Sequence, residues 1–141
     1  MTTAMNEEQM QEWVRSQFQR ANAYLAERGL MTNLILTKES RYFVPHVAIW
    51  KFTLQGLTEK VWVITGADLP TDHIEASLAA KPHDVLRYFS YRWQLKADNI
   101  LNNEKPADAK QQEFAHILVR SAEKLFPMSE DASLWQQEES N

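Results

Sequence analysis

"HVAIWKFTLQGLTEKVWVITG", His46 to Gly66, is the stretch on which the fold turns. It holds two runs rich in β-branched and aromatic residues, and "GLTE" between them supplies a turn. Strands joined by so short a loop pair antiparallel. In the first run Ala48, Trp50, Phe52 and Leu54 alternate onto one face. Setting Leu54 opposite Trp62 gathers Trp50, Phe52, Trp62 and Ile64 on that face and leaves Lys51 and Thr53 on the other. A slip by one residue divides the rings between the faces, so the first register is expected.

Upstream, "TNLILTKESRYFV" reads as strand with a bend at Glu39–Ser40, interrupted by Pro45, which has no N–H to give a ladder. Downstream, "TGADLPTDHIEAS", Thr65 to Ser77, is either an active-site loop or only a turn. Asp72 is placed to cap a short helix with Glu75 reaching back, and "HIEAS" equally suits a short last strand.

Helical periodicity lies on both sides. Met10, Val14, Phe18, Ala21 and Leu25 recur at spacings of three and four, with Trp13 and Tyr24 widening the stripe. That predicts a helix from roughly Asn6 to Arg28, with Glu7, Glu8 and Glu12 complementing its dipole and Gly29 stopping it. Pro82 suits the first turn of a second helix, whose inner stripe is Val85, Phe89, Trp93, Ala97 and Ile100. A third places Phe114, Ile117, Leu118, Ala122 and Leu125 inward and stops at Pro127. The expectation is α+β: an N-terminal helix, an antiparallel three- or four-stranded meander, and two C-terminal helices packed on one face. The 141 residues suit a single domain, with a short polar lead (1–5) and a tail (128–141).

Composition narrows the chemistry. There is no cysteine, which removes disulfides, thiol catalysis and Cys-ligated metal. With three glycines there is no phosphate-cradling loop, and no cofactor is expected. The net charge of −4 argues against nucleic acid. The start lacks a basic segment followed by an apolar one, and no run is long enough to span a membrane, so a cytoplasmic protein is expected.

At "ESRYFVPHVAIWKF", "WVITGADLPTDHI" and "RYFSYRWQLKADNIL" the chain resembles a family of short bacterial proteins catalogued only as a domain of unknown function. The likeness covers most of the chain, through the ending "LFPMSEDASLW". It implies a bacterial, cytoplasmic, single-domain protein and supplies no catalytic residue.

Two constellations are candidates for function. In an antiparallel hairpin the start of one strand lies beside the end of the next, so His46 is expected near Asp68–Pro70, with Asp72 and His73 farther along the loop. His46, Asp68, Asp72 and His73 have the donors of a metal site and the elements of an acid–base pair. They match no metal-binding motif, and Asp, Pro and Thr make turns for local reasons, so the first reading of the loop is structural. The second constellation is the polar side of the second helix, where Arg87, Tyr88, Tyr91 and Arg92 combine charge with aromatic area suited to a protein partner. Trp135 stands in a polar tail; it folds back onto the protein or anchors a partner. His116, beside the inner stripe of the third helix, is expected half-buried.

The leading reading is a non-enzymatic interaction module that binds a protein partner or itself. The alternatives are a metal-dependent or acid–base enzyme at His46, Asp68, Asp72 and His73, and a small-ligand pocket walled by Trp50, Trp62 and Trp93.

Overall fold

The computed structural model describes residues 5–103 and 105–136. The expected polar lead, Met5 excepted, and the last five residues of the expected tail lie outside the described residues. The chain forms two compact units, Met1–Leu78 and Ala79–Asn141. Among the described residues no helix is long and apolar enough to cross a membrane.

The first unit opens with helix α1, Glu7–Glu27. The Asn6 side chain accepts from the Gln9 N–H while the Gln9 side chain takes the Asn6 N–H, a reciprocal cap that satisfies two otherwise orphaned donors. At the other end Gly29 takes φ +75°, and the N–H groups of Gly29 and Leu30 reach the carbonyls of Ala26 and Leu25.

Five strands follow: β1 Thr32–Ile35, β2 Arg41–Phe43, β3 Val47–Leu54, β4 Lys60–Thr65 and β5 Asp72–Glu75. They form one antiparallel sheet ordered β1-β3-β4-β5, with β2 also pairing with β3. The expected bend at Glu39–Ser40 divides the upstream run into β1 and β2, which bind successive halves of the same edge of β3. Ser40 closes the break. Its buried hydroxyl donates to the Leu36 carbonyl (2.9 Å) and accepts from the Lys51 N–H (3.0 Å), so no ladder donor is stranded.

The β3–β4 hairpin is antiparallel as expected, but its register differs from the expected one. Trp50 lies opposite Val63, Lys51 opposite Trp62 and Phe52 opposite Val61, so Trp50 and Trp62 occupy opposite faces. The expectation assumed one buried face. Here both are buried: β3 is buried at seven of eight positions and β4 at five of six. With water on neither side, gathering the rings gains nothing. Instead each large ring faces smaller side chains, as close packing requires.

The α1 side carries the core of this unit, where Ala21 and Leu25 meet Trp50, Phe52, Val61 and Val63. Phe18 stands edge-on to Trp50 at 5.6 Å and Tyr42 lies 4.7 Å from the same ring. On the other side Val47, Ile49, Trp62, Ile64 and Ile74 are buried. Lys51, expected on the face away from the rings, is only 11% exposed in its side chain. Its ammonium binds Glu39 at 2.9 Å and lies 4.8 Å from the centre of the Trp62 ring, which compensates its desolvation.

The second unit is a helical hairpin of α2, Pro82–Leu101, and α3, Ala109–Glu130, packed against each other. Pro82 occupies the first turn of α2, where its missing N–H costs nothing. Asp108 and Gln111 cap α3 reciprocally. The buried stripe of α3 is Ala115, Leu118, Ala122 and Leu125; Phe114, expected inward, is 39% exposed, and Ile117 is half-buried. Pro127 does not stop α3, which runs on to Glu130. Carbonyls of this last stretch find side-chain donors: the Ser129 hydroxyl binds Phe126 O at 2.6 Å and the Trp135 indole N–H binds Met128 O at 2.9 Å.

Candidate functional site

The polar stretch after β4 is held from three sides. Thr65 is buried, and its hydroxyl accepts from the Trp50 indole N–H at 3.0 Å. At Gly66 a Cβ would lie 2.6 Å from the His46 carbonyl oxygen and 2.7 Å from Leu69 Cδ1, so only glycine fits. The Arg20 guanidinium donates to the Gly66 carbonyl at 2.7 Å, and Leu69 is buried. Of the two readings of Asp72–Glu75, strand is the one observed. The stretch therefore hands one strand to the next.

Arg20, Tyr24 and Arg28 recur every fourth residue and make one line along α1. Tyr24 Oη lies 2.9 Å from His73 Nδ1 and 3.4 Å from Asp72 Oδ1. With Tyr24 as donor, Nδ1 is the unprotonated ring nitrogen. Asp72 Oδ1 also takes the His73 N–H at 2.8 Å. The Arg28 guanidinium lies 3.5 Å from the centre of the Tyr24 ring. Asp72 and His73 are thus joined through α1 rather than through the other expected members.

His46 follows a cis Val44–Pro45 bond, and its N–H binds the Phe43 carbonyl at 2.7 Å. Its main chain approaches Gly66, but His46 and Asp68 are exposed, and neither side chain makes a hydrogen bond among the described residues. Nor, among those residues, does any group of three or more His, Cys, Asp or Glu stand where it could hold a metal ion. Tyr42, on the α1 side of the sheet, has its phenol pKa raised by burial, opposed by a hydrogen bond with Ser40.

The third expected site fails on register. Trp50 and Trp62 project from opposite faces of the sheet and cannot wall one pocket.

The second constellation lies on the hairpin. Arg87 reaches His83 Nε2 at 3.1 Å and Glu130 at 3.5 Å. Tyr88 is half-buried, edge-on to Phe89 at 5.7 Å. Tyr91 is 57% exposed and meets Phe126, 37% exposed, at 6.2 Å across the two helices. Leu95, one turn beyond Tyr91, is 63% exposed. Arg92 is exposed, about 100° round the helix from Tyr91 and so off that line. Trp135 is 2% exposed and stacked on His83 at 5.3 Å, so it is spent within its own unit. His116, expected half-buried, is exposed.

The periodicity of the inner stripes draws attention to what is buried, and it missed Leu95 and Phe126 as surface residues. Tyr24 and Arg20 were missed for another reason: their partners are more than forty residues away. A polar line at four-residue spacing beside an apolar stripe is the signal that could have marked them.

Against known proteins, a family model described as a domain of unknown function, DUF4826, matches residues 7–135. No curated protein and no solved structure matches the chain.

Proposed function

Since the chain belongs to the DUF4826 family, whose description names no activity, we propose from its own surface that it is a non-enzymatic module binding another protein chain through the outer side of the α2–α3 hairpin. One observation carries this reading: the Tyr91–Phe126 ring pair is left at the surface with Leu95 one turn away. Apolar area in water forgoes about 25 cal/mol per Å², so contiguous exposure on two packed helices favours a covering partner. Tyrosine is a frequent anchor in such contacts, and packed helices hold it in place at little entropic cost. The acid–base alternative is less well supported, because two of its four residues stand apart and the other two are engaged by Tyr24. A cytoplasmic location belongs to the same proposal and is supported by the cysteine-free composition.

The test is photo-crosslinking in the source cells from a benzophenone side chain placed at Leu95, with the exposed Gln19 of α1 as control position. A discrete protein adduct from 95 and none from 19, lost on adding Tyr91→Ser and Phe126→Ser, is the expected result. Equal labelling from both positions, or none from 95, overturns the reading.

A further inference from the structure

Building on that proposed contact face, we infer that its partner is a cationic amphipathic segment, apolar on one side and bearing Lys or Arg along its flanks. The charge around the rings points there. On α2 the residues sharing the line of Tyr91 and Leu95 are Asp84 and Asp98, each seven positions from Tyr91 and therefore on the same face. On α3, Glu123 and Glu130 stand three before and four after Phe126, which places them on its side of the helix. Asp98, Glu123 and Glu130 are exposed and Asp84 is half-exposed. The nearby cations are Arg87, which lies 3.5 Å from Glu130 and 3.1 Å from the His83 ring nitrogen, and Lys96, which follows Leu95 and lies 5.5 Å from the centre of the Phe114 ring. Arg92 lies about 100° away from Tyr91 round the helix, off the line of Asp84 and Asp98. Among the described residues an apolar centre of Tyr91, Leu95 and Phe126 is thus flanked by four carboxylates against two cations, Arg87 and Lys96.

A second copy of this chain fits that pattern poorly. A two-fold contact places the same patch on both sides, so acidic rim meets acidic rim. A segment with cationic flanks meets attraction along the whole face, and its aliphatic stems add cover to the rings.

The experiment uses the full chain and two synthetic helical peptides of about fourteen residues, long enough for about four turns. One is built from leucine and lysine. The other has glutamate in every lysine position. Binding is followed by calorimetry at low salt and again at 0.5 M sodium chloride, and mapped by backbone amide shifts. The lysine peptide should bind, shift the amides around residues 91, 95 and 126, and weaken more than tenfold in high salt. The glutamate peptide should not bind. In the Asp98→Lys/Glu123→Lys variant the lysine peptide should lose at least tenfold and the glutamate peptide should gain. Leu95→Ser should weaken the lysine peptide without reversing the preference. Both variants alter exposed positions, and urea denaturation checks that each is folded.

The inference is overturned if the lysine peptide does not bind, or if charge reversal leaves its affinity unchanged. It also falls, with the interaction reading intact, if the adduct from residue 95 proves to be a second copy of this chain or a partner whose contacting segment is acidic. No adduct from residue 95 at all removes the interaction reading, and this inference with it.

Discussion

Trp50 and Tyr91 each sit on a regular element beside a second ring, and they meet opposite environments. Trp50 is 1% exposed, edge-on to Phe18 and bonded through its indole N–H to Thr65. Tyr91 is 57% exposed beside a Phe126 that is itself 37% exposed. The first unit closes its rings inside: beneath α1 on one side of the sheet, and stacked beneath Lys51 on the other. The second unit buries Phe89, Trp93 and Trp135 and leaves a second set outside. The difference separates aromatic area that stabilises the fold from aromatic area left over for a partner.

Trp50→Ala tests the inner half of that contrast most severely. Removing a buried indole leaves a cavity and an unpartnered Thr65 hydroxyl, so unfolding in urea should show a loss of about 3–5 kcal/mol. A loss below about 1 kcal/mol breaks the contrast, since single surface changes cost no more than that. Gly66→Ala comes next. Its new methyl meets the His46 carbonyl, which is main chain, as well as Leu69, so the hairpin end must shift. A loss of about 1–3 kcal/mol is expected from the denaturation midpoint. An unchanged midpoint would show that the end of β4 is not held as described.

The outer half predicts little change in stability. Tyr91→Ser with Leu95→Ser should cost less than about 1 kcal/mol, because both side chains are mostly in water already. A larger loss assigns them to the core and sharpens the boundary between the two classes of ring. The smallest effect belongs to Tyr42. Its folded pKa is raised, so the ionised phenol is favoured in the unfolded chain. The stabilising contribution is complete below the ordinary tyrosine pKa of about 10 and declines as pH rises through the folded value. Tyr42→Phe should therefore flatten the alkaline fall in melting temperature relative to the parent chain. An equally steep fall in both proteins contradicts the assignment.

What could be read from the chain depends on how local the cause was. The start of α1 near Asn6, its stop at Gly29 and the start of α2 at Pro82 are decided within a few residues, and their positions were foreseen, although the reciprocal cap of Asn6 and Gln9 was not. The β3–β4 pairing was foreseen as well, because two β-branched runs with a short turn between them have few other ways to fold. Its register was not. "VAIW" and "VWVI" are continuous apolar runs, which signals burial on both faces, whereas the expected register rested on one-sided alternation. Pro127 misled because a proline removes one intrahelical donor without having to end the helix: α3 runs on to Glu130, and the Met128 carbonyl near its end takes the Trp135 indole N–H from seven positions away. The joining of His73 to Tyr24 spans forty-nine positions, beyond the reach of any local pattern.

The most direct measurement is the yield of crosslinked adduct from residue 95 in the parent chain and in the Tyr91→Ser/Phe126→Ser chain, each first shown to be folded. If the outer rings serve a partner, the parent gives one discrete adduct and the variant loses it while remaining folded. The same adduct at the same yield from both chains would contradict the account.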